Sequence, residues 1–412
     1  MSGDRSTPLL HERAAPRASG TTPEAIVSLV KVCVGSGVFA LPWAAVQGGV
    51  LALPGLAVLV VWNWYTSWQL LACRGVVQQE TQAAHRSVYS ALTHAALGRG
   101  GVMVLEGSLI VVSLGACAGM QIQAAQLLGA TVPVLGYHTW VVGSSLLLVP
   151  LVLQRTLRGI SIIALSGLVV LCIGLAATAA NGLFAVGPPG LSAELTSLPS
   201  PAGFASFFGV AAFAFGGTQA TILPIQDGMA LPHEAAGALL VALMIAGALY
   251  AVVALLLASI YEYSEEGVQQ MIILNLPKHS GFGFAVNSCT ALVAVLSYPL
   301  PLMPVVQLLT PPAGSSPSSD ARLRLSLLVV STAVALAVPN FGRIAGFLGC
   351  LNIAFAQCLP PLLHLRLRTA HLQQSPRKRL LEAIDVALTS TGVATLVYFT
   401  LLTGRELLAG WM

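Results

Sequence analysis

The sequence predicts an all-α, polytopic membrane protein of about eleven transmembrane helices, built as two inverted five-helix repeats. Three observations predict it. First, 56% of the 412 residues are hydrophobic and only 8% are charged, where a soluble domain carries roughly 25% charged residues. Such a chain needs lipid as its outer solvent, and only helices or closed barrels satisfy every backbone group there. Second, the apolar residues fall into about eleven stretches near the length of roughly 20 residues that spans a bilayer. Third, two of these stretches, five apart in order, carry matched glycine clusters.

The predicted spans cover residues 26–46, 50–71, 102–128, 139–154, 160–186, 203–223, 235–261, 282–310, 322–338, 344–364 and 381–403. Span four is short. Span eight contains Pro299, Pro301 and Pro304 and is expected to bend, because proline removes a helical hydrogen bond. The loops 187–203 and 311–321 read as polar and irregular. The chain is therefore one membrane domain (25–403) between short tails at 1–24 and 404–412. The first tail has no apolar segment and does not read as a secretory signal.

Lysine and arginine set the orientation. With the N-terminal tail in the cytosol, 15 of these residues lie inside: Arg5, Arg13, Arg17, Arg74, Arg86, Arg99, Arg155, Arg158, Arg322, Arg324, Arg366, Arg368, Arg377, Lys378 and Arg379. Only Lys278, Arg343 and Arg405 lie outside, and Lys31 falls within span one. An odd span count places the C-terminus on the opposite face. The formal net charge of +4 gives nucleic-acid binding no support. The seven cysteines sit in apolar stretches without zinc-ligand spacing, so no metal or cofactor is expected.

The glycine clusters carry the functional signal. Span one reads Lys31-Val-Cys-Val-Gly35-Ser-Gly37-Val-Phe-Ala-Leu41-Pro42, and span six reads Phe213-Ala-Phe-Gly216-Gly217-Thr-Gln-Ala-Thr-Ile-Leu223-Pro224. Gly35 lies seven residues before Pro42, and Gly217 lies seven before Pro224. Glycine inside a helix costs about 1 kcal/mol against alanine, so the clusters mark places where each helix unwinds. Spans one and six cross in opposite directions. Paired broken segments in corresponding positions point to a transporter binding site. The new helix start near Val38 offers N–H groups at residues 37–40 to a carboxylate. The helix end near Phe215 offers carbonyls to an ammonium group. A zwitterionic amino acid satisfies both. The alternative is helix packing, which small residues also serve; the matched pair of sites favours binding.

VGSGVFALPWAAVQGG (34–49), FAFGGTQATILPIQDGM (213–229), LSYPLPLMPVVQLL (296–309) and VPNFGRIAGFLGCLNIAFAQCLPPLLHLRL (338–367) together resemble the amino acid/auxin permease family of the amino acid–polyamine–organocation superfamily. The resemblance runs over roughly residues 25–400. It implies the two-fold inverted-repeat fold and proton-linked or exchange transport of amino acids. Lys31, four residues before Gly35, resembles the proton-coupled and vacuolar branches. Two positions depart from the pattern. Gly216 stands where an acidic residue usually follows Phe-Ala-Phe, and Ser113 stands where the third helix often has Gln.

These readings give candidate substrate-binding residues Val34, Gly35, Ser36, Gly37, Ser113, Phe213, Phe215, Gly216, Gly217, Thr218 and Tyr298. Lys31 and Ser297 are candidates for ion coupling: in the related fold the turn before the first break faces the bent eighth helix, where a coupling cation sits in sodium-driven members, and the Lys31 ammonium would replace that sodium. The rival role for Lys31 is anchoring at the cytosolic interface. Glu106 stands open between function and hydration. Gln121, Gln123 and Gln126 read as polar glue between helices. The eight histidines read as span ends or loops. Residues 4–10 resemble an acidic dileucine sorting signal with the acid one position early, which points towards an endolysosomal or vacuolar membrane and leaves the plasma membrane open. The expected partners are an amino acid, protons in symport, and lipid. An amino-acid sensor on the same scaffold is the second function class. A membrane-embedded enzyme is the third, and no His-Glu-x-x-His or Walker motif supports it.

Overall fold

The computed structural model describes residues 20–76, 86–154, 160–190, 193–277, 280–310, 316–373 and 375–409. Residues 4–10, Arg5, Arg13, Arg17, Arg155, Arg158, Lys278, His11, His85 and His279, and parts of the two polar loops (191–192 and 311–315), lie outside the described residues. Within them the protein is helical, with one isolated bridge between Gly20 and Met229.

The helices group into the eleven predicted passes. Span one is Thr22–Cys33 followed, after a break, by the 3-10 turn Ser36–Ala40 and the helix Leu41–Gly48. Spans two to five are Ala52–Cys73, Val88–Thr131, Tyr137–Leu153 and Ile160–Ala185. Span six is Pro201–Ala214 and then Thr218–Gly228, and span seven is Ala235–Tyr261. Span eight is Gly281–Ser297 continued by Pro299–Leu309. Spans nine to eleven are Pro317–Ala337, Phe341–Leu367 and Pro376–Ala409.

Among the described residues, eight helical stretches are long and apolar enough to cross a membrane, one of them running from the second half of span one through span two. Span four is apolar but short, and span nine carries Asp320, Arg322 and Arg324 in its first turns. The protein is a multi-pass membrane protein. Its outward-facing side chains agree: Val58, Val61, Leu146, Phe184 and Leu401 are exposed, the surface lipid would cover.

Three features refine the predicted passes. Span three begins earlier than expected, because a helix starting at Val88 bends into it at Gly98, whose φ of 66° only glycine adopts readily. Span eight bends at Tyr298, as its prolines require. Span ten widens into a π-turn at Ala354–Cys358. The pair Pro360 and Pro361 follows directly, and neither can donate an N–H back to the preceding turn.

The two glycine clusters break the first pass of each five-pass set. After Cys33 the chain extends through Val34 and Gly35. Gly217 takes φ 94°, a left-handed conformation, between Phe215 and Thr218. The halves on the N-terminal face are tied together. Gly20 N–H bonds Gly228 O at 2.9 Å, Thr22 donates to Glu234, and Arg74 of span two pairs with Asp227.

Candidate functional site

The two breaks face each other at the middle of the bundle. A Cβ on Gly37 would lie 3.1 Å from Ala214 Cα, and one on Gly217 would lie 3.6 Å from Val32. Glycine is thus needed at 37 for close approach and at 217 for its backbone angle. Neither helix restart has a side-chain cap, at Gly35 or at Gly217. The first N–H groups of a helix have no partner within it. The restart comes two residues earlier than the sequence predicts: Val38 N–H already bonds Gly35 O at 3.2 Å, so Ser36 and Gly37 carry the donors.

The helix end in span six is more occupied than expected. Asn352 Nδ2 donates to Ala212 O at 3.5 Å, Gly216 N–H to Phe213 O at 3.0 Å, and the Tyr250 hydroxyl to Ala214 O at 3.0 Å. That same hydroxyl lies 2.5 Å from Cys33 O, the last carbonyl before the break in span one.

A cavity of about 620 Å³ opens beside the break, a size suited to a small molecule. Val34, Gly35 and Ser36 form one wall, and a Cβ on Gly35 would meet nothing within 4 Å. Gln123 and Met120 of span three, Thr221 of span six, and Thr290 and Ser297 of span eight line the rest. Lys31 lies on the same wall and is the one charged side chain in the lining among the described residues. The structure therefore brings Lys31 and Ser297 to one cavity. A second hollow of about 650 Å³ lies on the outer surface between spans two and eleven, lined by Val58, Val61, Trp62, Tyr65 and Leu388. It is apolar and faces where lipid would lie.

The other candidates are placed as follows. Gly37, Phe213, Gly216, Gly217 and Thr218 form the packed seam between the breaks, outside the cavity lining. Phe215 is buried against Tyr250, with ring centroids 4.8 Å apart. Tyr298 is fully buried and turned away, its hydroxyl 2.6 Å from Ser331 of span nine. Ser113 shares the helix stripe of Met120 but lies seven residues earlier, about 10 Å along the axis.

Sequence reasoning passed over Thr221 and Thr290, and it read Gln123 as glue between helices where the structure sets it in the cavity lining. A periodicity signal existed for span eight, since residues 290, 293, 294 and 297 line the cavity at helical spacing. Gln121 does act as glue, donating to Ser145 and Thr332 at 3.2 and 3.0 Å. Glu106 accepts from Ser90 at 3.2 Å. His364 corrects the expectation of a solvated span end: it is 1% exposed and lies 2.8 Å from buried Asp385.

A family model described as transmembrane amino acid transporter protein matches residues 18–403. The chain belongs to that family. Among curated relatives, vacuolar amino acid transporter 4 of Saccharomyces cerevisiae is 24% identical over 443 residues, covering 94% of this chain and 59% of that protein. Vacuolar amino acid transporter 3 of the same yeast is 25% identical over 274 residues, covering 63% of this chain and 38% of that protein. Vacuolar amino acid transporter 3 of Schizosaccharomyces pombe is 24% identical, covering 92% of this chain and 57% of that protein. The chain spans about half the length of these relatives. A solved structure of MhsT in complex with L-phenylalanine superposes with a TM-score of 0.53 at 12% identity, covering 94% of this family member and 100% of MhsT. That likeness shows the fold, two inverted five-helix repeats with discontinuous first and sixth helices.

Proposed function

We propose that this protein is a secondary active transporter that carries neutral amino acids across a membrane by alternating access, in symport with protons. The observation that carries the reading is the cavity at the break of span one, with uncapped backbone N–H groups at residues 36 and 37 beside it. Helix starts of this kind hold anions, and a carboxylate is the anion every amino acid has. Membership of an amino acid transporter family supports the substrate class.

The neutral preference follows from the lining. Lys31 repels a lysine side chain, and among the described lining residues no acidic side chain stands to pair with one. A glutamate side chain would need Lys31, which the coupling role reserves for a proton. The test is uptake of a panel of labelled amino acids into proteoliposomes, with and without a pH gradient. Neutral amino acids should be taken up, faster with the gradient and independently of sodium. Preferential uptake of lysine or glutamate would contradict the reading.

The charge distribution further supports an N-terminus in the cytosol and a C-terminus on the opposite face of a vacuolar, endolysosomal or plasma membrane. In sealed vesicles, tags at the two ends of the chain should differ in protease protection. Equal protection at both ends would rule this topology out.

A further inference from the structure

A second titratable site lies outside the cavity. Asp385 of span eleven is 0% exposed, and three side chains from three elements donate to or face its carboxylate. Gln69 Nε2 of span two donates to Oδ1 at 2.8 Å. Thr369 Oγ1 donates to Oδ2 at 2.9 Å, and His364 Nδ1 of span ten lies 2.8 Å from Oδ2. The Trp68 ring covers the imidazole at a centroid distance of 5.7 Å. Tyr65 and Cys73 of span two lie within the field of Asp385. Arg368 is engaged with Ala72 O, and Lys378 with Glu382 of span eleven. Tyr89 of span three, which also packs on span ten, donates to Phe355 O. Among the described residues, the pair thus has one proton-accepting imidazole and one carboxylate, and the side chains bonded to it, Gln69 and Thr369, are uncharged.

A second buried network joins this region to the break in span six. Gln219, in the first turn after Gly217, donates to Asn63 and Thr66 of span two at 2.9 and 3.1 Å. Gln357 of the π-turn donates to the same Asn63 oxygen at 3.3 Å. From Asn63 to Gln69 is about 9 Å along one helix. Between the two networks lie three buried polar atoms with no hydrogen-bond partner: Ser67 Oγ, Gln69 Oε1 and Gln357 Oε1. Unpaired buried polar atoms are uncommon and mark functional or hydrated places.

Resting on the amino acid transport reading but not on the role of Lys31, we propose that His364 and Asp385 form a proton-binding site that sets the rate of the transport cycle. With a proton bound the pair is an imidazolium–carboxylate pair of zero net charge. Without it the pair carries a net charge of −1 in a low-dielectric contact between spans two, ten and eleven. Moving an uncompensated charge within the membrane is costly, so the proton-loaded form is the mobile one. The first turn of the second half of span six, held through Gln219 and Asn63, moves with these helices. Free imidazole changes charge between about pH 5 and 8, so that is the range to scan. This is kinetic control, distinct from the energetic coupling assigned to Lys31.

The experiment is exchange of a labelled neutral amino acid at equal pH on both sides of proteoliposomes, between about pH 5 and 8. Wild-type exchange should fall by about tenfold as pH rises across that range. Asp385→Asn removes the carboxylate charge and should keep exchange fast at the alkaline end of the range, where wild type is slow. His364→Gln leaves the carboxylate alone and should stay slow at every pH. A purely structural contact would slow both variants and leave their pH profiles as in the wild type, which overturns the proposal, as does a flat wild-type profile. If wild type exchanges no amino acid, the transport reading itself fails. The proton site is then decided by infrared difference spectra of the purified protein. An imidazole-to-imidazolium transition that disappears in His364→Gln upholds the site, and its absence from wild type removes it.

Discussion

Gly35→Val should abolish amino acid transport, by roughly 100-fold or more, while the protein still folds and reaches its membrane. The backbone at Gly35 is extended, with φ −128° and ψ −166°, which any residue adopts. A Cβ there meets nothing within 4 Å. The valine therefore costs the fold little and spends its volume inside the cavity, against the N–H groups of Ser36 and Gly37. Hydrogen bonds to a charged group are worth about 1.5–3 kcal/mol each, and each 1.4 kcal/mol is about tenfold. Losing both, about 3–6 kcal/mol, gives the stated loss. Gly217→Val should also abolish transport, but through a different cause. Its φ of 94° strains a non-glycine residue by about 1–3 kcal/mol, so this variant should also unfold more easily in a thermal melt. Wild-type flux in a well-folded Gly35→Val would show that the break only packs helices.

Lys31→Ala should uncouple the protein. A gradient of about one pH unit can support roughly tenfold accumulation in one-to-one symport. The variant should fall to no accumulation, while exchange of labelled for unlabelled amino acid continues at a lower rate. The position of Lys31 carries this expectation, since it lines the same cavity as Gly35 and Ser297. A lysine that anchored the helix at the interface would not be expected in that lining. Full gradient dependence in Lys31→Ala, or a sodium requirement in wild type, would remove the coupling role.

The passes and the two breaks were legible because their causes are local. Twenty apolar residues, a glycine pair or a proline cluster act within a few turns of where they stand. The predicted limit of span seven, 235–261, coincides with the observed helix Ala235–Tyr261. What stayed hidden depends on facing. Ser297 and Tyr298 are neighbours in sequence, yet one lines the cavity and the other meets Ser331, because one residue turns a helix by about 100°. His364 and Asp385 are 21 residues apart across a turn between two helices. Nothing in either local stretch announces the other, so a histidine near a span end reads as solvated. The helix before Gly98 was missed for a further reason: with Arg86, His94 and Arg99 around it, it lacks the apolar length that marks a pass.

The Tyr250 hydroxyl has a single hydrogen and two carbonyls within reach, Cys33 O and Ala214 O. At any instant it can serve one broken helix and not the other. The symmetry suggested by the matched glycine clusters is therefore not kept at the level of protons, and one of the two ends always lacks the donor that the other holds. An ammonium group brings three donors. That is enough for both ends at once, where one phenolic hydrogen serves only one.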